Sequence, residues 1–170
     1  LQMLVDKLNE AARRIFIEVF AQIRTNFQNI FAMIFPGGSA DLVLQGDDPL
    51  EAGVEITAQP VTGRKKLPLT LLSGGQKAMT SIALMFAVLR IKPTPFCILD
   101  EVDAPLDEAN IGRFSSIMRE FAQDNQFLII SHNKKTMGVG DQIYGITMNS
   151  SGVSARIGVD FKKLVGEEQD

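Results

Sequence analysis

The sequence predicts an α/β fold in which a parallel sheet is built on a βαβ unit, with antiparallel strands beside it and a coiled-coil-like helix in front. Three observations carry this expectation. Phe96-Cys97-Ile98-Leu99 and Phe127-Leu128-Ile129-Ile130 are short continuous apolar runs, separated by a helical face of Ile111, Phe114, Ile117, Met118 and Phe121. Strand, helix and strand within about 35 residues require parallel pairing with a right-handed crossover. Residues 42–44 and 54–58 change to a period of two, the pattern of a half-buried strand. Leu1, Val5, Leu8, Ala12, Ile15 and Val19 recur at alternating steps of four and three, the spacing of a coiled-coil seam.

The composition sets the bounds. A chain of 170 residues, 45% apolar and 22% charged, suits one globular domain with its own core and excludes disordered, collagen-like and disulfide-stapled classes. The longest unbroken apolar run, 82–89, is far short of the roughly 20 residues that span a bilayer, and no secretory leader opens the chain. A formal charge of −3 argues against a surface basic everywhere, while leaving room for a local basic patch. The single cysteine, Cys97, has no internal disulfide partner and is expected as a small buried residue, in keeping with a reducing cytoplasm.

In chain order, the seam spacing of 1–19 fits either a coiled coil with a partner elsewhere or an amphipathic helix lying on its own domain. The apolar pattern continues through Phe20, Ile23, Phe27, Ile30, Phe31 and Ile34, as one long helix or two abutting ones. Phe35-Pro36-Gly37-Gly38 stops it. The strands at 42–44 and 54–58 flank Gly46-Asp47-Asp48-Pro49, so an antiparallel pair with a longer connection is expected. Thr62-Gly63-Arg64-Lys65-Lys66 reads as a polar loop, solvated or in contact with a phosphate backbone. Residues 79–91 are apolar on nearly every side, which implies a central, buried helix. After the βαβ unit, 143–148 and 153–159 alternate around Asn149-Ser150-Ser151-Gly152, the pattern of a terminal hairpin.

Ligands of open parallel sheets collect beyond the carboxyl ends of the strands. There the sequence places Asp100-Glu101-Val102-Asp103 after the first apolar strand and Ser131-His132 after the second. Adjacent acids at such a position suit nucleotide hydrolysis: Asp100 as the Mg²⁺ carboxylate, and Glu101 as the base that orients or deprotonates a water. A solvated loop with a helix cap is the alternative. His132 is the only histidine, which excludes a multi-histidine metal site but allows a single donor to a phosphate oxygen. Ser73-Gly74-Gly75-Gln76 forms a capping box, Ser73 accepting from Gln76 and Gln76 reaching back. Two bare glycines at a helix start also leave amides open to an anion.

These residues also carry a family resemblance. Leu-Ser-Gly-Gly-Gln at 72–76, the strand ending in Asp100-Glu101, Ala104-Pro105-Leu106-Asp107 and Ile130-Ser131-His132 resemble, in order and spacing, the signature motif, Walker B strand, D-loop and switch histidine of ABC-type ATPases. The strings from Pro93 to Asp107 and Ser131-His132-Asn133-Lys134-Lys135 resemble more narrowly the C-terminal half of the SMC head, from chromosome-structuring ATPases. The resemblance spans nearly the whole chain. No glycine is followed by lysine, so the phosphate-cradling Gly-x-x-x-x-Gly-Lys loop is missing.

The resemblance therefore implies the C-terminal lobe of a split head. Residues 1–35 would be the returning coiled-coil stub and the helix leading in, and 36–170 the lobe. ATP and Mg²⁺ would be bound, and ATP hydrolysed, only after the N-terminal Walker A half joins. Two heads would sandwich ATP, with Asp100, Glu101 and His132 of one facing Ser73, Gly74, Gly75 and Gln76 of the other. Asp107 would lie near the seam, or simply cap the helix that follows. The implied partners are the N-terminal half, a second head in a homodimer, a kleisin subunit and DNA, reached through Arg64, Lys65 and Lys66 or Lys134 and Lys135. No membrane is implied, and the location is cytoplasmic at the nucleoid. Rival readings are a RecN-like repair ATPase, a transporter's ATP-binding subunit, whose phosphate loop would precede Leu72 in the same domain, and an interaction module without catalysis.

Overall fold

The computed structural model describes residues 2–61 and 63–160. Leu1 of the expected seam, Thr62 of the basic loop and 161–170 of the expected lobe lie outside the described residues.

Helix α1 (Gln2–Ile34) is continuous, so the apolar pattern that allowed one helix or two makes one. It ends where Pro36 and Gly37 follow, Gly37 taking a φ of 77°, the left-handed conformation that closes helices. Gly38 is needed next to it: a Cβ there would lie 2.8 Å from the Gln59 carbonyl oxygen. The two halves of α1 differ. Phe27, Ile30, Phe31 and Ile34 are wholly buried, whereas Leu8 and Ile15 of the seam stay more than half exposed. Among the described residues nothing covers Leu8 or Ile15, and only toward Val19 does the seam become half-buried, so the first half of α1 is not an amphipathic helix lying on this domain.

Strands β1 (Ser39–Gln45), β2 (Gly53–Gln59) and the short β3 (Leu67–Pro68) form an antiparallel sheet in that order. Leu42 pairs with Ile56 and Ala40 with Ala58. Two arginines of α1 fasten this sheet. The Arg24 guanidinium donates two hydrogen bonds to Asp41, at 2.6 and 2.8 Å, and Gln28 Nε2 adds a third at 2.9 Å. Arg13 grips Asp48 in the same bidentate way, at 3.0 and 2.6 Å. Arg24 beside Asp41, and Arg13 beside Asp48, hold both carboxyls at about 2, because hydrogen bonds from a cation favour the ionised form.

A 3₁₀ turn (Leu69–Leu71) leads to α2 (Gly74–Ile91), then β4 (Phe96–Asp100), α3 (Glu108–Phe121) and β5 (Gln126–Ile130). β4 and β5 are parallel, with Leu99 opposite Ile129 and Asp100 opposite Ile130, which makes the expected βαβ unit. Phe86 of α2 packs at a tilt against Phe121 of α3, ring centroids 4.4 Å apart, and approaches Phe127 of β5 at 6.1 Å. Leu99, Cys97, Phe127 and Ile129 join the same core. Burial also pushes the Cys97 thiol above its ordinary value, as desolvation disfavours a thiolate.

Strands apolar at every position are expected to be buried, and the structure buries only one of their faces. Phe96, Ile98, Leu128 and Ile130 alternate with the core residues and are about half exposed. A strand apolar at every position needs cover on both faces. α2 and α3 cover one, and nothing among the described residues covers the other. Helix α2 is likewise buried over a broad face while Ser81, Val88 and Arg90 stay exposed.

A short helix, α4 (Lys134–Met137), follows β5, and the chain continues as the hairpin of β6 (Gln142–Met148) and β7 (Ser154–Asp160). Its turn closes with Gly152 at a φ of 78° and Asn149 hydrogen-bonded to Val153. Tyr144, Ile146, Met148 and Ile157 are all exposed on this hairpin. Among the described residues no helix is long and apolar enough to cross a membrane.

Candidate functional site

The parallel register of β4 and β5 brings two loops side by side at their carboxyl ends. Glu101 follows Asp100 directly, and its backbone N–H donates to the Ile130 carbonyl at 2.9 Å, so the first residue of one loop is tied to the last residue of the neighbouring strand. Glu101 takes a φ of 48°, the one non-glycine residue with positive φ among those described. Left-handed backbone costs a side-chain-bearing residue roughly 1 kcal/mol and collects at functional sites.

His132 leaves β5 two residues after its end. Its Nε2 lies 3.0 Å from Glu101 Oε1, and both side chains are largely open to solvent. With Nε2 protonated the imidazole donates to the carboxylate. Asp100 is also exposed at the tip of β4. Among the described residues no three His, Cys, Asp or Glu side chains gather into a closed metal cage. A single open carboxylate fits Mg²⁺, which takes one or two protein carboxylates and fills its octahedron with phosphate oxygens and water.

Beneath the Glu101–His132 pair is a polar cluster that the sequence reading missed. Asp103, buried to 4% exposure, accepts through one oxygen, Oδ2, from Ser131 Oγ at 2.6 Å and from Thr136 Oγ1. Ser131 Oγ in turn accepts from the Asn133 amide at 2.9 Å. Asn133 Oδ1 caps α4 by accepting from the amides of Lys135 and Thr136. Asn-Lys-Lys-Thr is legible as a helix start, but nothing local announces that Thr136 will meet a carboxylate 33 residues away.

The signature segment is built as its capping box predicts. Ser73 Oγ accepts from the Gln76 amide at 3.4 Å, and Gln76 Oε1 accepts from the Ser73 amide at 3.2 Å. Gly74 has open space where a Cβ would stand. At Gly75 a Cβ would come within 3.3 Å of Asn110 Nδ2 and 3.5 Å of the Pro105 carbonyl oxygen. The helix start thus packs against the loop that follows Asp100 and Glu101. Asp107 accepts from the Asn110 amide at 2.8 Å and caps α3. Among the described residues no hydrogen bond joins Ser73 or Asp107 to Glu101 or His132, so this chain holds two separate clusters, bridged by the loop between them. Arg64, Lys65, Lys66, Lys134 and Lys135 are exposed, with Lys135 3.3 Å from Glu108. A groove lined by Ala21, Gln22, Thr25, Asn26, Arg90 and Ile91 lies at the other end of α2 from Ser73.

The RecF/RecN/SMC N terminal domain model matches residues 7–155. A Chromosome partition protein Smc from Rhodopirellula baltica is 46% identical over 170 residues, covering 99% of this chain and 14% of its own length. The chain therefore spans about a seventh of the length of the curated relatives it matches. Among solved structures, the Pyrococcus furiosus Smc head domain with an extended coiled coil, bound to the C-terminal domain of ScpA, has a TM-score of 0.87 at 34% identity. That match covers 98% of this chain and 42% of that one. A chain solved in a study of ATP-driven dimerization and DNA stimulated activation of SMC ATPases has a TM-score of 0.79 at 35% identity, with 93% of this chain and 98% of that one covered.

Proposed function

The chain belongs to the RecF/RecN/SMC N terminal domain family, and from that premise we propose that it supplies the C-terminal half of an SMC-type ATPase head that serves chromosome condensation and segregation. Residues 1–35 are, in this reading, the returning coiled-coil stub and the helix that enters the head, and 36–170 its C-terminal lobe. The observation that carries the proposal is the meeting of Glu101 and His132, 3.0 Å apart, beside Asp100 where two parallel strands end. The similarity to Chromosome partition protein Smc favours this reading over a RecN-like one.

Asp100 is the residue that would hold Mg²⁺, which when bound neutralises charge on the phosphate oxygens of ATP. Glu101 orients a water in line with the terminal phosphorus and takes its proton as the new P–O bond forms and the bond to ADP breaks. His132 donates to a terminal phosphate oxygen, its contact with Glu101 keeping the two groups within reach of one substrate. Ser73, Gly74 and Gly75, with Gln76 holding the cap, serve the site of a second head: the hydroxyl and free amides of a helix start bind the terminal phosphate. ATP then joins the heads, and hydrolysis releases them. Asp107, the cap of α3, would lie near the seam between the heads and link the two sites.

The half-covered β4–β5 sheet supports a need for a second polypeptide segment, since a parallel pair exposed on one apolar face is not a stable end state. That segment, the N-terminal Walker A half, would bring the phosphate loop. A kleisin and DNA are the further partners proposed, with a homodimer of heads and a cytoplasmic, nucleoid-associated location. The test is to measure ATP turnover by this chain alone and after co-expression with the N-terminal segment of its parent protein. Turnover is expected only from the complex. Hydrolysis by the chain unaided, or failure of the two pieces to assemble, overturns the proposal.

A further inference from the structure

We propose that Asp103 is a positioning residue for the hydrolytic pair, its buried carboxylate fastening the loop that carries His132 to the loop that carries Glu101. The inference rests on the ATPase reading of the site and adds what sets its geometry. Glu101 and His132 have side chains 53% and 88% exposed, so packing does not hold them and their separation must come from the backbones beneath. On one side, the Glu101 amide is tied to Ile130 at 2.9 Å, and the Ala104 amide returns to the Glu101 carbonyl at 3.1 Å. On the other, Ser131 and Thr136 lie before and after His132 in the chain, and both donate to the same oxygen of Asp103.

A need for bulk alone would be met by an apolar side chain, because burying a carboxylate costs desolvation that packing does not require. What a carboxylate adds is direction. Two hydroxyl donors converging on Oδ2 fix residues 131 and 136 relative to the 101–106 turn. Ser131 Oγ relays that constraint to the Asn133 amide at 2.9 Å. His132 is thus held in a segment anchored at both ends by a residue of the Glu101 loop.

The experiment uses the full-length protein with Asp103→Ala, Asp103→Asn and Thr136→Val, and Glu101→Gln as the control for the site itself. Asp103→Ala is expected to lower kcat on the order of 10-fold to 100-fold, as loss of an orienting partner does. KM for ATP and ATP-dependent head dimerisation should stay within about twofold. Asp103→Asn, which keeps an acceptor oxygen, should recover kcat to within about threefold of wild type, and Thr136→Val should fall between. In the nucleotide-free protein, hydrogen exchange at 133–137 should quicken about tenfold in Asp103→Ala and Thr136→Val, with α2 unchanged. Wild-type kcat in Asp103→Ala, or equal losses in kcat, KM and dimerisation without rescue by asparagine, overturns the proposal. If Asp103→Ala does not fold, wild-type turnover and exchange in Thr136→Val overturn it. Undiminished hydrolysis by Glu101→Gln would instead remove Glu101 from its role as the base, and the exchange result would still judge the fastening.

Discussion

His132 Nε2 stands 3.0 Å from Glu101 Oε1 across the ends of two neighbouring parallel strands, although 31 residues separate them in the chain. The register that pairs Asp100 with Ile130 makes this meeting inevitable, since each side chain leaves its strand within two residues of that pair. An imidazole and a carboxylate at one strand end are the two groups on which the proposed hydrolysis of ATP relies once the phosphate loop and Mg²⁺ are supplied.

Glu101→Gln in the completed head should therefore cost on the order of 10²–10⁴ in turnover, with nucleotide affinity retained. Steady-state hydrolysis and direct nucleotide binding, measured on the same preparation, check it. Unchanged turnover would remove Glu101 from its role.

Ser73→Arg puts a long cation at a helix start where Gly74 leaves open space. ATP-dependent association of heads should be lost, while a single head still binds ATP. Chemical cross-linking with and without ATP reads the first and equilibrium binding the second; dimers that persist would show that Ser73 does not face the neighbouring head.

Ile98 and Leu128 sit on the uncovered face of the β4–β5 sheet. Ile98→Glu should leave the fold of this chain intact, because no described residue packs there, but should abolish co-purification with the N-terminal segment. Burying an unpaired carboxylate at that interface would cost several kcal/mol. Wild-type yields of the complex would refute the covering of this face.

Asp41 carries the clearest pH signature. Its pKa of about 2 in the folded protein lies below the ordinary 3.8, chiefly through the Arg24 hydrogen bonds. A depressed carboxylate stabilises the fold above its unfolded pKa, and that contribution fades as pH falls from about 4 toward 2. Asp41→Asn should thus lower stability by about 1 kcal/mol at pH 7, and the gap to wild type should close on acidification through that window. Thermal unfolding of both proteins from pH 7 down to about pH 2 measures it.

Much of the architecture was legible because its signals are local. The steps of three and four in α1, the Ser73–Gln76 box and the Asp107 cap each involve residues within one or two helical turns, and the structure contains them all. The two apolar strands and the helix between them sufficed for a parallel crossover. The extent of strand burial was not legible: an apolar residue records that cover is needed, but not which segment supplies it, and Ile98 and Leu128 remain open here.

The amino-acid string by itself determined which elements form and which chemical groups stand at their ends: acids after one strand, a histidine after the next, a capped pair of glycines at a helix start. Only the tertiary structure decided that Glu101 touches His132, that Asp103 receives Ser131 and Thr136 together, and that no described residue covers one face of the parallel sheet. The physical reason is range. Backbone preference and capping act over a few residues, whereas these contacts depend on the register and twist with which distant strands pack, to which every core side chain contributes.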